Sequence, residues 1–251
     1  MRTPTTGRLV AAEFVGTTLV MLGGPGLLIL GGDDIGRVGV ALGFGLSTAL
    51  AIGVIGAVAN PMFSLALWFG RSITQRELFA DWIGQFLGAI FGAAIIFGLN
   101  DTDRFIAGTN GWEPSSDFGA PVTGFQQLGV VIGAELVLGA IVVLVLLSAI
   151  KEQRSNAAAA AFVGGGVTLA ALLLQPISGV GINPARSLAT AIFADTDPNA
   201  LGQVWVFVLL PIVAAFVGLV AYLAIDDSTI DDTVFDDTAL ETASDAVTGD
   251  R

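Results

Sequence analysis

The stretch "SGVGINPARSLATAIF", Ser178–Phe193, decides the fold of this chain. It lies between two long apolar segments, yet its glycines, its proline and Arg186 do not suit a helix that faces lipid. Asn183 is a good helix cap, and Pro184 suits a first helical turn because its missing N–H costs nothing there. A charged side chain at membrane depth is costly and marks a functional position. The stretch therefore predicts a short helix that begins at Asn183 inside a membrane.

The rest of the chain has the composition of a membrane protein. Of its 251 residues 54% are hydrophobic, and its mean hydropathy is +0.81. A helix needs about 20 apolar residues to cross a bilayer. Six windows meet this length: Leu9–Leu30, Val38–Ile55, Trp82–Leu99, Phe125–Ile150, Ala157–Leu174 and Gln203–Ile225. The first window carries Glu13 and has no small-residue cleavage site, so we expect a retained helix and not a signal peptide.

The absence of cysteine and histidine excludes several functions. Disulfides, thiol chemistry and the commonest metal ligand are unavailable to this chain. The sequence shows no nucleophile–base pair and no set of metal ligands, so we expect neither an enzyme nor a bound cofactor. A net charge of -12 also argues against a nucleic-acid partner.

The acidic residues suggest the source of the chain. Sixteen of the 22 acidic residues are Asp, and Lys151 is the only lysine. This balance is typical of proteins from high-salt organisms, because an acidic surface stays hydrated, and it favours a halophilic archaeon. The alternative is that one acidic tail dominates the count, since nine acids fall between Asp226 and Asp250. We favour the halophile because the remaining loops are also acidic.

Basic residues cluster on one predicted side of the membrane. The loops of the other side hold only Arg37 and Arg104. Cytoplasmic loops carry an excess of Lys and Arg, so we expect both termini to lie in the cytoplasm of a cell membrane. The acidic segment 226–251 then predicts a disordered cytoplasmic tail. The six residues of the basic side are Arg2, Arg8, Arg71, Arg76, Lys151 and Arg154.

The chain repeats itself at a nearly constant offset. "AAEFVGTTLV" recurs as "GAELVLGAIV", which places Glu13 against Glu135, and "VANPMFSLALWF" recurs as "GINPARSLATAIF", which places Asn60 against Asn183. Each half holds three spans, so the second half enters the membrane from the opposite side and the repeat is inverted. Repeat one covers about 8–100 and repeat two about 125–225, joined by an extracellular linker at about 101–124.

Both Asn-Pro segments are too short to cross the bilayer. Each predicts a half-helix that begins at Asn60 or Asn183, and the inverted repeat brings the two starts together near the bilayer centre. Irregular backbone at this depth must line a wet cavity or be buried in protein. We expect the two Asn amides and the positive helix starts to favour small neutral polar solutes in single file and to repel cations. Preceding carbonyls would act as acceptors: Ala57, Val58 and Ala59, with Gly179, Gly181 and Ile182.

These motifs resemble the aquaporin, or major intrinsic protein, family over about Arg8 to Ile225. The resemblance rests on four features: the two Asn-Pro half-helices, the "GINPARS" motif, the paired Glu residues and "LLP" in the last span. It implies an all-α membrane protein with six transmembrane helices plus two re-entrant half-helices, a passive channel domain over 1–225 and a homotetramer. The first motif departs from the family, because Met62 replaces the usual alanine and Val58 the usual histidine.

The resemblance also implies roles for individual residues. Arg186 lies at a selectivity constriction with Val180, Ala171 and a residue of the second span, which is Phe44 or, by an ungapped count, Val40. Glu13 and Glu135 accept hydrogen bonds from the re-entrant loops, and we expect them to be the only acids deep in the spans. The pore centre is assigned to the half-helix starts, Asn60, Pro61, Met62, Asn183, Pro184 and Ala185.

The sequence therefore predicts a passive channel for water and other small neutral solutes. A channel of the glycerol-facilitator type remains an alternative, since Ala171 replaces the histidine usual in water channels, although Ser187 resembles them. An ion-coupled transporter with inverted repeats is a second alternative, disfavoured because few ionisable residues lie in the spans. A third is a structural or adhesive protein whose pore is closed by Phe44, Val180 and Met62.

Overall fold

The computed structural model describes residues 5–99, 108–112, 125–151, 155–194 and 199–226, and every secondary-structure element assigned in these ranges is helical. The predicted tail beyond Asp226, most of the linker, Arg2, Arg104, Arg154 and the side chain of Lys151 lie outside the described residues. The helices are α1 (Thr6–Met21), α2 (Leu27–Leu50), α3 (Pro61–Phe69), α4 (Gln75–Gly98), α5 (Phe125–Lys151), α6 (Asn156–Ser178), α7 (Pro184–Phe193), α8 (Ala200–Gln203) and α9 (Val206–Ile225). Two π-helical turns, Leu22–Gly26 and Ala51–Ile55, follow α1 and α2.

Six helical segments are long and apolar enough to cross a membrane, which confirms the six predicted spans. They are Thr6–Gly31, Asp34–Ile55, Gln75–Gly98, Leu128–Ile150, Asn156–Ser178 and Ala200–Ile225. The third span begins seven residues before its predicted window because a capping box starts the helix. The backbone N–H of Thr74 donates to Glu77 Oε2 at 2.7 Å, and the N–H of Glu77 donates back to Thr74 Oγ1 at 3.3 Å.

The helix pairs show the predicted internal symmetry. Helix α1 packs against α4 in the first half as α5 packs against α9 in the second, and α2 and α6 join the halves. Each half-helix packs on a long helix of the opposite repeat, so that α3 lies against α9 and α7 against α4. This exchange locks the two repeats together around the half-helices. The fold class predicted from the sequence is confirmed.

Glycines allow α2 and α6 to approach closely. A Cβ at Gly45 would lie 1.8 Å from Thr168 Oγ1 and 2.4 Å from the carbonyl oxygen of Gly164. A Cβ at Gly164 would lie 2.6 Å from the carbonyl oxygen of Gly45. The neighbouring Gly165 is exposed and has no atom of another element within 4 Å of its Cβ position. Within a membrane there is no hydrophobic driving force between helices, so the junction of the two repeats depends on the close packing that these small residues allow.

We expect Gly164→Ala to destabilise the protein, whereas Gly165→Ala serves as its matched control. The methyl group at position 164 forces α2 and α6 apart, and overpacking of this kind costs about 1–3 kcal/mol. At position 165 alanine meets open space and favours the helix by up to about 1 kcal/mol. Thermal unfolding of the two variants in detergent checks the difference. Equal unfolding temperatures would contradict the close packing described above.

Candidate functional site

The two half-helices begin at the predicted asparagines. Asn60 Oδ1 accepts from the backbone N–H of Met62 at 3.0 Å, and Asn183 Oδ1 accepts from that of Arg186 at 3.2 Å. A proline occupies the first helical position in both α3 and α7. Each asparagine therefore caps its helix with the side-chain oxygen and keeps its amide NH₂ for other partners.

The amide groups tie the two half-helix starts together. Asn60 Nδ2 donates to the carbonyl oxygen of Ile182 at 3.1 Å, and Asn183 Nδ2 donates to that of Ala59 at 2.9 Å. The two bonds are related by the internal repeat. Because an amide NH₂ has two hydrogens, each asparagine retains one donor beyond this cross-link. Both side chains line a narrow cavity of about 20 Å³ between the repeats.

The loops before the asparagines hold an unfavourable backbone conformation. Ala59 has a φ of 52° and Val180 a φ of 70°, and a non-glycine residue pays about 1–2 kcal/mol in this region. Gly179, with a φ of 78°, reaches the same region at little cost. The conformation persists only where surrounding bonds fix the loops.

Glu13 fixes the first loop with both carboxylate oxygens. Its Oε1 accepts from the N–H of Val58 at 2.7 Å, and its Oε2 accepts from the N–H of Ala59 at 2.8 Å and from Gln85 Nε2 at 2.8 Å. Three donors converge on one carboxylate, and two of them belong to the backbone of the first re-entrant loop.

Glu135 fixes the second loop with one oxygen only. Its Oε1 accepts from the N–H of Gly181 at 2.7 Å and from the hydroxyl of Ser178. Its Oε2 has no hydrogen-bond partner among the described residues. A side chain at Gly181 is excluded, because its Cβ would lie 2.1 Å from the ring of Phe207. The two repeats therefore use the same carboxylate in different ways.

The expectation that Glu13 and Glu135 are the only acids deep in the spans is wrong. Asp81 in α4 is buried, and its Oδ2 accepts from the hydroxyl of Ser64 at 3.0 Å. Ser64 in turn accepts from Gln85 Nε2 at 2.9 Å, so Asp81 joins the network around Glu13. Asp81 lay outside the apolar window but inside the helix. Its spacing of four residues from Gln85 places both on one helix face, a signal that was present in the sequence.

Of the two second-span candidates, Phe44 lines the cavity and Val40 does not; Thr48 of the same helix lines it as well. The ring centroid of Phe44 lies 5.6 Å from the guanidinium carbon of Arg186, within the range of a cation–π contact. Val40, the other candidate, is buried in the hydrophobic core. From α6, Val167 lines the cavity, whereas Ala171 lies one turn further along and is fully buried. The assignment of Ala171 to the constriction stays a prediction.

The predicted carbonyl-bearing residues divide into two groups. Val58, Ala59 and Ile182 line the cavity, whereas Ala57, Gly179 and Gly181 do not. Val180, which was assigned to the constriction, lines the cavity as well. The side chain of Met62 is 1% exposed and lines a separate apolar crevice, so it does not narrow the cavity. Pro61, Pro184 and Ala185 are buried at the half-helix starts.

Arg186 brings a positive charge to the cavity, together with hydrogen-bond donors that the described part of the protein does not use. It is fully buried, and its Nη1 donates to the side-chain oxygen of Asn110. Its Nε and Nη2 have no hydrogen-bond partner in the described ranges. No Asp or Glu forms a direct ion pair with the guanidinium there, although the buried carboxylate of Glu135 is near enough to interact with its charge. Arg186 can therefore donate to a polar solute while opposing a cation.

Asn110 is a site residue that the sequence did not single out. Its Nδ2 donates to the carbonyl oxygen of Ser178 at 2.9 Å while its oxygen accepts from Arg186. It thus joins the segment 108–112 to the second re-entrant loop. An irregular segment has no periodicity to mark an inward-facing position, and the polar "TNG" was the one available signal.

Comparisons with known proteins agree with this architecture. The family model described as "Major intrinsic protein" matches residues 1–222. Aquaporin Z of Photorhabdus laumondii is 34% identical over 220 residues, which cover 84% of this chain and 94% of that protein. Aquaporin Z of Brucella melitensis is 35% identical over 225 residues, covering 85% and 95%.

A solved structure shows the same fold. The X-ray structure of the aquaglyceroporin from Plasmodium falciparum matches with a TM-score of 0.70 and 22% identity, covering 87% of this chain and 96% of that one. At this identity the likeness concerns the fold alone. Together with the sequence relatives, these findings show a multi-pass membrane channel for water and small neutral solutes, not an enzyme: the chain belongs to the major intrinsic protein family.

Proposed function

We propose that water is the principal solute and that it passes in single file between the two half-helix starts. The observation that carries this proposal is the pair of crossed bonds from Asn60 and Asn183 in the cavity that also holds Arg186. The remaining amide hydrogens meet the oxygen of a central water from two sides. Apolar walls, formed by residues such as Val20, Val167 and Ile182, give that water few other partners.

Cation exclusion follows from charges of one sign along this path. The N-termini of α3 and α7 meet at the cavity, and each carries a partial positive charge. Arg186 adds a full charge in surroundings where the dielectric constant is low. A central water that accepts from both asparagines donates to its neighbours on either side, so a proton relay through it is interrupted.

The remaining features of the proposal concern setting and assembly. We place the channel domain, residues 1–225, in the cell membrane with both termini and an acidic tail, 226–251, in the cytoplasm. The excess of basic residues on one side supports this orientation. A homotetramer is part of the proposal. Many large apolar side chains, such as Val54 and Phe216, are exposed on the outer surface of the single chain and are available for contacts between subunits.

Stopped-flow light scattering of proteoliposomes in an inward glycerol gradient tests the proposed solute. Fast shrinkage reports water leaving, and later reswelling reports glycerol entering. We expect shrinkage at least tenfold faster than in empty liposomes, with reswelling no faster than in them. Accelerated reswelling supports the glycerol-facilitator alternative instead. If neither phase exceeds that of empty liposomes, the proposal of an open water pathway is wrong.

The two loop-holding carboxylates should respond differently to the same change. In Glu135→Gln the amide oxygen keeps both donors and the new NH₂ replaces Oε2, which no donor of the described residues faces, so one unpartnered donor is added but no donor–donor contact, and water permeability should fall less than in Glu13→Gln. In Glu13→Gln the new NH₂ faces a group that already donates to this position, so at least one buried donor loses its acceptor. A buried donor without a partner costs about 1–3 kcal/mol. We expect lower thermal stability and a severalfold loss of permeability. Equal effects of the two substitutions would argue against the asymmetric bonding.

Asn110→Asp tests whether the charge of Arg186 excludes cations. The carboxylate keeps the acceptor position and neutralises the guanidinium, and it also loses the donor to the carbonyl oxygen of Ser178, a loss that the alanine control shares. We expect water permeability to change little and sodium leakage into proteoliposomes to rise at least about tenfold, since this corresponds to only about 1.4 kcal/mol of barrier. Asn110→Ala is the matched control, because it removes the contact without adding charge. Sodium leakage that stays at the unsubstituted level in Asn110→Asp would show that exclusion depends on another group.

A further inference from the structure

A second cavity lies behind the half-helix starts, on the side away from the pore. This crevice is open on one side, has a volume of about 150 Å³ and is lined by apolar side chains. Its floor is formed by Pro61, Met62 and Pro184. Its walls are formed by Trp82 and Phe86 of α4 and by Val208 and Ile212 of α9. The crevice belongs to neither the pore nor the loop-holding networks.

The crevice exists because of how the long helices pack. Helix α4 lies against the half-helix α7, and α9 lies against the half-helix α3. The two long helices are therefore separated by the half-helices, and the crevice lies between them. Trp82 Nε1 donates to the carbonyl oxygen of Pro61 at 3.3 Å. The one polar group of this wall is thereby satisfied, and its rings present only apolar surface.

The depth of the crevice places it in the hydrocarbon core of a bilayer. Its floor is the meeting point of two half-helices that enter from opposite sides, which lies near the bilayer centre. The residues that directly follow its four wall residues are large, apolar and exposed: Ile83 and Leu87 on α4, and Leu209 and Val213 on α9, at 46–54% of their surface. The mouth therefore opens on hydrocarbon and not on water.

We propose that this crevice binds the hydrocarbon chain of a membrane lipid. Water is a poor occupant, because a buried water needs two to four polar partners and the lining offers none. An empty crevice would forfeit dispersion contacts along its whole lining. Lipid chains surround the mouth at this depth and enter without leaving the membrane. The occupant touches Met62, which directly follows the Asn60-Pro61 start of α3.

The test uses Trp82 as a reporter inside the crevice. A variant with Trp68→Phe, Trp112→Phe and Trp205→Phe keeps Trp82 as the only tryptophan. It is reconstituted into liposomes whose phosphatidylcholine carries bromine either deep in the acyl chain or near the headgroup, since bromine quenches tryptophan on contact. Water permeability of the same liposomes shows that the protein is folded. We expect deep bromines to quench Trp82 at least twofold more strongly than shallow ones.

Three further substitutions in this background separate an occupied crevice from ordinary contact with surrounding lipid. Val208→Phe fills the crevice and should lower quenching by deep bromines at least twofold. Leu209→Phe, on the adjacent exposed position, adds the same ring outside the crevice and should leave quenching unchanged. Ile212→Ala widens the crevice and should raise quenching, so the proposal remains testable if Val208→Phe does not fold.

Two results would overturn the proposal. Quenching that is the same in Val208→Phe, Leu209→Phe and Ile212→Ala would mean that lipid touches only the outer edge of Trp82. Weak quenching at every bromine depth, together with full water permeability, would mean that another copy of the chain covers the mouth.

Discussion

The crossed bonds from Asn60 and Asn183 to the carbonyls of Ile182 and Ala59 are the contacts on which the other features depend. A chain that interrupts its helices at the bilayer centre exposes backbone groups where no lipid can satisfy them. The asparagines answer this in two ways, since the side-chain oxygen caps the helix and the nitrogen bonds the opposite loop. The same bonds fix the two repeats in register, so the requirement to satisfy the backbone also builds the polar lining of the pore.

The two repeats meet this requirement with different surroundings. In the first, Glu13, Gln85, Ser64 and Asp81 form one continuous hydrogen-bonded chain from the loop to α4. In the second, Glu135 stands beside the ring of Phe207, and of the residues that the structure describes only Ser178 and the loop backbone bond to it. A bonded network resists displacement of any one member. The first loop is therefore held by more bonds, whereas the second depends on close packing at Gly181, and it is the second half-helix that carries Arg186.

The sequence predicted the elements well and the side-chain partners less completely. Hydrophobic length gave six spans, the repeat gave their inversion, and Asn-Pro gave both half-helix starts, because each of these depends on local chemistry. The role of Asp81 was missed because a window of apolar residues ends where a polar helical turn begins, although the helix continues. Asn110 was missed because its position depends on how an irregular segment folds over α7. The choice between Phe44 and Val40 needed the distance to Arg186, since both lie on one face of α2 one turn apart.

Arg186 shows how a buried charge is kept without a direct ion pair. An ion pair would satisfy it but would also cancel the field that opposes cations. Asn110 is neutral, so it fixes one end of the guanidinium and leaves the charge in place. The ring of Phe44 adds an attraction that occupies none of its hydrogens. The remaining hydrogens on Nε and Nη2 have no partner in the described part of the chain, so passing solutes supply the acceptors that the protein withholds. Each passing solute therefore accepts hydrogen bonds from these two donors. Because the bonds are weak enough to break, the solute leaves the site and completes its passage.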